Sequence, residues 1–188
     1  MSILANGLTE HQVLPDVRDH AAVIACLSAT VPDLVRARDY WRTVDPESPE
    51  QYPAWSVVHH GKGPYEYLAY YGPGGFGIHF GAQVAVVEAG CRFSGFATIP
   101  ALQAAHLPGF RSVARAIGGK RLVLIPQENG PIQDAYRYDG ASLDACIELI
   151  RKTWGDPHSP TEVTTEDVEV YYRRKTPIWY LENLEHIA

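Results

Sequence analysis

The sequence predicts an α+β fold: a mainly antiparallel sheet of about five to six strands, with helices packed on one side and two further helices at the N-terminus. Three observations predict it. Apolar residues recur at helical spacing near the N-terminus, a long middle stretch is rich in aromatic and β-branched residues broken by glycine turns, and two amphipathic segments flank a compact apolar strand. At 188 residues and 20.8 kDa, a chain of this mass buries about 70% of its unfolded surface on folding, enough for one sizeable core. We therefore read residues 1–188 as a single domain, with an N-terminal helical segment over 1–44, a connector over 45–53, an α+β core over 54–155 and a docking segment over 156–188.

Pro15 and Asp16 suit the first turn of a helix, and Val17, Ala21, Ile24 and Leu27 continue it toward Ala29. Pro32 and Asp33 restart the pattern in a second helix, expected to be short, with Leu34, Val35, Tyr40 and Trp41 on one side. The segment from Asp45 to Pro53 holds three prolines and three acids and reads as an exposed connector.

From Trp55 the segments WSVVHH, YEYLAYY, FGIHF and AQVAVVE read as neighbouring strands of a meander. The turns between them are expected at Gly61–Pro64 and Gly72–Gly75, and a turn at Ala89–Gly90 should lead into a further strand, CRFSGF. Within YEYLAYY, alternation puts Tyr65, Tyr67, Ala69 and Tyr71 on one face and Glu66, Leu68 and Tyr70 on the other. Leu102, Ala105, Phe110, Val113 and Ile117 mark a helix over about 100–118, expected to kink or split at Pro108–Gly109. KRLVLIP is apolar enough to lie inside the sheet. A helix over 142–154 starts at Ser142 as N-cap and stops at Gly155. Beyond Pro160, Thr164 with Asp167 resembles a capping box and favours a helix, whereas Val168, Val170 and Tyr172 alternate like a strand, so both readings stay open; the apolar IWYL segment should dock on the body.

Composition narrows the class. Hydrophobic residues at 46% and charged residues at 20% exclude a disordered chain. The longest apolar runs fall short of the roughly 20 residues that cross a bilayer, so no membrane span is expected. MSILANGLTEHQ lacks the basic start and apolar block of a secretory signal. The three cysteines are odd in number and far apart, which fits a reducing cytoplasm better than a disulfide scaffold. Cys26 and Cys146 sit in apolar helical patterns and read as structural thiols, leaving Cys91 as the chemically interesting one.

Net charge is −6, and its distribution is uneven. Residues 1–53 and residues 156–188 each carry net −4, whereas residues 54–155 carry net +2. An acidic surface without a basic track repels phosphate backbones, so no nucleic-acid binding is expected. Acidic ends around a nearly neutral middle suit the steering of a basic partner, with solvation of the surface as the plainer reading.

Four constellations bear on chemistry. Gly72, Gly74 and Gly77 match G-x-G-x-x-G, but a tyrosine-rich strand precedes them and no helix is signalled after them, so they read as a hairpin rather than a nucleotide cradle. His59, His60 and His79 lie on neighbouring strands, with Glu88, Cys91 and His106 downstream. Adjacent residues on a strand point to opposite faces, so His59 and His60 cannot both serve one ion, and neither HExxH nor CxxC is present. A thiol nucleophile at Cys91 would need His79 or His60 within reach. Glu66, Glu88 and Glu128 have no spacing that forces a carboxylate pair. No catalytic residue, cofactor or metal is therefore assigned.

What remains is aromatic and acidic. The sequence favours a non-catalytic cytoplasmic binding protein, concretely an immunity or antitoxin-type inhibitor of a basic toxin or effector enzyme. Glu166, Asp167 and Glu169 would contact the partner's cationic site, with Tyr171 and Tyr172 as aromatic anchors. Two other classes stay open: a metal- or thiol-dependent enzyme using His59 or His60, His79, Glu88 and Cys91, and a structural subunit of a homo-oligomer assembled through the IWYL segment.

Overall fold

The computed structural model describes residues 4–11, 19–47, 50–60, 67–127, 130–158 and 178–186. Their centre is one seven-stranded antiparallel sheet in the order β2-β3-β4-β5-β1-β6-β7. The strands are β1 (Leu4–Glu10), β2 (Ser56–His60), β3 (Tyr67–Gly72), β4 (Phe76–Phe80), β5 (Val84–Arg92), β6 (Arg121–Pro126) and β7 (Tyr180–Asn183). Among the described residues there are six α-helices: α1 (His20–Ser28), α2 (Val31–Val44), α3 (Phe93–Thr98), α4 (Pro100–Ala116), α5 (Pro131–Arg137) and α6 (Leu143–Trp154). The α+β class and the antiparallel sheet expected from sequence are present.

The meander β2-β3-β4-β5 expected from sequence forms, because short connections pair each strand with the next. Period-two alternation then sorts side chains into two cores. Tyr70, Ile78, Val87, Leu124 and Tyr180 face one core with Val23, Leu27, Leu34, Phe96 and Phe110 of α1, α2, α3 and α4. Leu8, Val84, Val86, Val123 and Ile125 face the other, with Ile132, Tyr136, Cys146, Ile150 and Trp154 of α5 and α6. Helices thus cover both faces of the sheet, and α6 lies opposite α4 rather than beside it.

Several local expectations are corrected. The chain opens the sheet before any helix: β1 is a central strand between β5 and β6. Its Asn6, Gly7 and Thr9 are all buried yet carry no hydrophobic alternation, which hides the strand from a pattern reading. Helix α2 runs for 14 residues and is not short. Strand β5 passes straight through Ala89 and Gly90 to Arg92, and FSGFAT is helix α3 rather than a strand. Helix α4 contains Pro108 and continues through it as one element, so it does not split. The short α5 had no sequence signal strong enough to be read.

Other expectations stand. Ser142 caps α6, its Oγ accepting from the Ala145 N–H at 3.3 Å. Strand β6 lies inside the sheet. The IWYL segment docks, with Ile178, Trp179 and Tyr180 buried and β7 paired to β6. The start of α1 is a correction: the helix begins at His20 rather than at Pro15–Asp16, because Asp19 caps it, its Oδ1 accepting from the Ala22 N–H. Residues 12–18, the turn at 61–64 and the tail at 159–177 lie outside the described residues.

Candidate functional site

The described residues form a cleft of about 650 Å³ at the C-terminal end of α2. One side comes from α2 itself, with Arg38, Trp41 and Arg42 lying about one helical turn apart and Asp45 as the cap residue. The floor is the glycine corner between β3 and β4, which supplies Gly72, Gly74 and Gly75, together with Gly90 of β5. The far side is the connector, through Glu50, Gln51 and Tyr52.

Glycine is required at this corner. Gly74 has φ 69°, and a Cβ there would lie 2.6 Å from the Leu34 carbonyl oxygen. The corner therefore packs tightly under the middle of α2, against Leu34, Ala37 and Arg38. No helix follows the glycines; β4 does, so the G-x-G-x-x-G match is a hairpin corner as its sequence context suggested.

Two features give the cleft chemical character. Tyr52 stacks on Tyr71, with ring centroids 5.2 Å apart and planes 19° from parallel, making an aromatic wall. Glu50 is mostly buried, and its Oε1 atom has no hydrogen-bond partner. Its Oε2 lies 4.0 Å from Arg38 and 3.8 Å from Arg42, close enough for attraction and too far for hydrogen bonds. Arg38 is instead bonded to Asp39, Nε to Oδ1, at 3.1 Å.

The sequence-predicted histidines are dispersed. His79 on β4 and Glu88 on β5 do come together, Nε2 to Oε2 at 3.1 Å, and Tyr71 meets the His79 ring edge-on. Cys91 does not join them. It faces the opposite core, fully packed with the α1–α4 side chains, and burial pushes its thiol up to about 12, so it is protonated at neutral pH and a poor nucleophile. Cys146 is likewise buried and pushed up to about 11. His59 sits with the α1 side of the sheet, its ring 6.2 Å from that of His20, which in turn pairs with the Tyr70 hydroxyl at 2.8 Å. His106 lies wholly inside the core. His60 ends β2.

Among the described residues no group of three His, Cys, Asp or Glu side chains is arranged to hold a metal ion. Glu66, Glu128, Glu166, Asp167, Glu169, Tyr171 and Tyr172 lie outside the described residues. The cleft was not anticipated. Its aromatic and acidic members are scattered over α2, the connector and β3, and only the glycine corner marked it in sequence.

No single helix among the described residues is long and apolar enough to cross a membrane. Comparison with protein-family models, curated proteins and solved structures found no match.

Proposed function

We propose that this protein is a non-catalytic cytoplasmic binding module that neutralises a basic protein, in the manner of an immunity or antitoxin protein covering a toxin or effector enzyme. The observation that carries the reading is the charge distribution: net −4 at each end of the chain against net +2 in the middle. Such ends accelerate encounter with a cationic surface and orient it. The burial of Cys91 and Cys146 supports it further, because neither thiol is placed to do covalent chemistry.

In this reading Glu166, Asp167 and Glu169 meet the partner's cationic site, and Tyr171 and Tyr172 bury aromatic area beside it. The partner to test is the protein encoded immediately upstream. Calorimetric affinity for it should fall at least about tenfold between 50 and 500 mM NaCl, as screening shortens the reach of exposed charges. The double reversal Glu166→Lys with Asp167→Lys should weaken it by a further order of magnitude or so. Salt-insensitive affinity, or a silent double reversal, refutes the proposal.

One observation favours a second reading. The His79–Glu88 contact is the start of a carboxylate–histidine arrangement that a metal enzyme would use. Stoichiometric zinc in purified protein, lost in His79→Ala, would establish that reading instead.

A further inference from the structure

We infer that the cleft at the end of α2 is a receptor for a guanidinium group, an arginine side chain presented by the basic partner. The inference rests on the reading of the protein as a binder of such a partner and names where one of its side chains enters. Four observations carry it.

The first is the unsatisfied acceptor. A buried carboxylate oxygen without a donor is costly, and Glu50 Oε1 is such an atom, on a residue that lines an open cleft. Oε2 has no hydrogen bond either, only the two arginines at 3.8 and 4.0 Å. Oε1 is closed to solvent, so a planar fork engages both oxygens once the carboxylate turns toward the cleft, the arrangement in which arginine exceeds lysine.

The second is the aromatic wall. The stacked Tyr52–Tyr71 pair, with Trp41 across the helix end, offers ring surface to a flat cation, which is attracted to it both by the ring quadrupole and by stacking. The third is local charge. Among the residues that line the cleft, Asp45 and Glu50 offset Arg38 and Arg42, and Arg38 is further engaged by Asp39 at 3.1 Å, so the arginines leave the mouth with no net positive charge to repel a cation. The fourth is the helix end. The last turn of α2 brings the negative pole of its backbone dipole to the cleft, an attraction for a cation and a repulsion for an anion.

The test separates the site from the wider reading. Isotope-labelled protein is titrated with Nα-acetyl-arginine amide, with the norleucine and glutamate analogues as uncharged and anionic controls, and amide shifts are followed by NMR. Shifts should appear at Glu50, Tyr52, Tyr71 and Gly90 with the arginine probe alone. Glu50→Gln, which keeps the shape but not the charge, should weaken the probe about tenfold, and Tyr52→Ala should weaken it severalfold. Arg42→Ala, which removes a competing cation, should strengthen it.

Preference for the glutamate probe, indifference to Glu50→Gln, or weakening by Arg42→Ala overturns the site. The upstream-encoded protein is then titrated with the same variants. A tenfold loss with Glu50→Gln supports entry of the partner's arginine, and unchanged affinity overturns it even if salt-sensitive binding persists. Probe binding with the expected variant pattern, in a protein that does not bind the upstream-encoded protein, sustains the guanidinium site and refutes the partner reading alone.

Discussion

His106 shows how a polar residue can be held in a core by one bond and the absence of charge. Its ring is packed among Tyr40, Trp41 and Phe76, and Nδ1 donates to the Leu102 carbonyl at 2.9 Å. Nε2 is buried without a partner, so a second proton there would be stranded. Burial accordingly holds the imidazole below its ordinary 6.5. The unfolded chain takes up a proton as pH falls through about 6.5 while the folded one resists, so this group makes stability fall on acidification and adds nothing to the pH dependence above neutrality. Chemical denaturation at pH 5 and pH 7.5 should show a smaller acid loss in His106→Phe than in the parent; equal losses would contradict this placement. The sequence marks His106 only as a member of a helical stretch. That its ring faces rings of α2 and β4 is a tertiary fact, since those partners are 30 or more positions away.

At the scale of the element, α4 illustrates local propensity yielding to packing. Pro108 and Gly109 predict a break, because proline removes a helical donor and glycine is flexible. The helix persists since its length carries Leu102, Leu107, Phe110, Val113 and Ala114 into the core, and that burial outweighs a local defect of a few kcal/mol. Gly109 is there for space. A Cβ at that position would lie 2.5 Å from Phe76 Cζ and 2.9 Å from Leu34 Cδ2. Gly109→Ala in an unpacked helix would gain about 1 kcal/mol, but here we expect a net loss of about 1–3 kcal/mol in urea unfolding; a more stable variant would refute the crowding. Helix α6, by contrast, was legible in full. Its N-cap, apolar stripe and closing Gly155 are all local signals, and local signals survive in sequence because the residues that cause them are neighbours.

At the scale of the whole molecule, the C-terminal strand is tied to the body by a charge pair under α4. Arg111 and Glu182 form a bidentate pair, Nε donating to Oε2 at 2.8 Å and Nη2 to Oε1, and the Glu182 side chain is 4% exposed. Removing one partner leaves the other charged and dry. Glu182→Ala should therefore cost about 3–5 kcal/mol. The double variant Arg111→Met with Glu182→Leu, which deletes both charges and keeps the volume, should recover most of that loss in the same thermal or urea measurement. If the double variant is as unstable as the single one, the pair is not the tie that holds β7. Nothing in the spacing of Arg111 and Glu182 announces their meeting, as 71 positions separate them.

The same division runs through the fold and the cleft. Alternation, glycine turns and caps are short-range consequences of backbone geometry, so the sequence by itself determined the α+β class, the β2-to-β5 meander, α6 and the docking of the IWYL segment. Tertiary structure alone decided that Leu4–Glu10 is a central strand, that α4 and α6 cover opposite faces, and that Glu50, Tyr52, Tyr71 and the end of α2 enclose one cleft. The physical reason is that burial and pairing between distant segments depend on where the chain returns to itself, and a residue carries no local mark of the neighbour it will meet there.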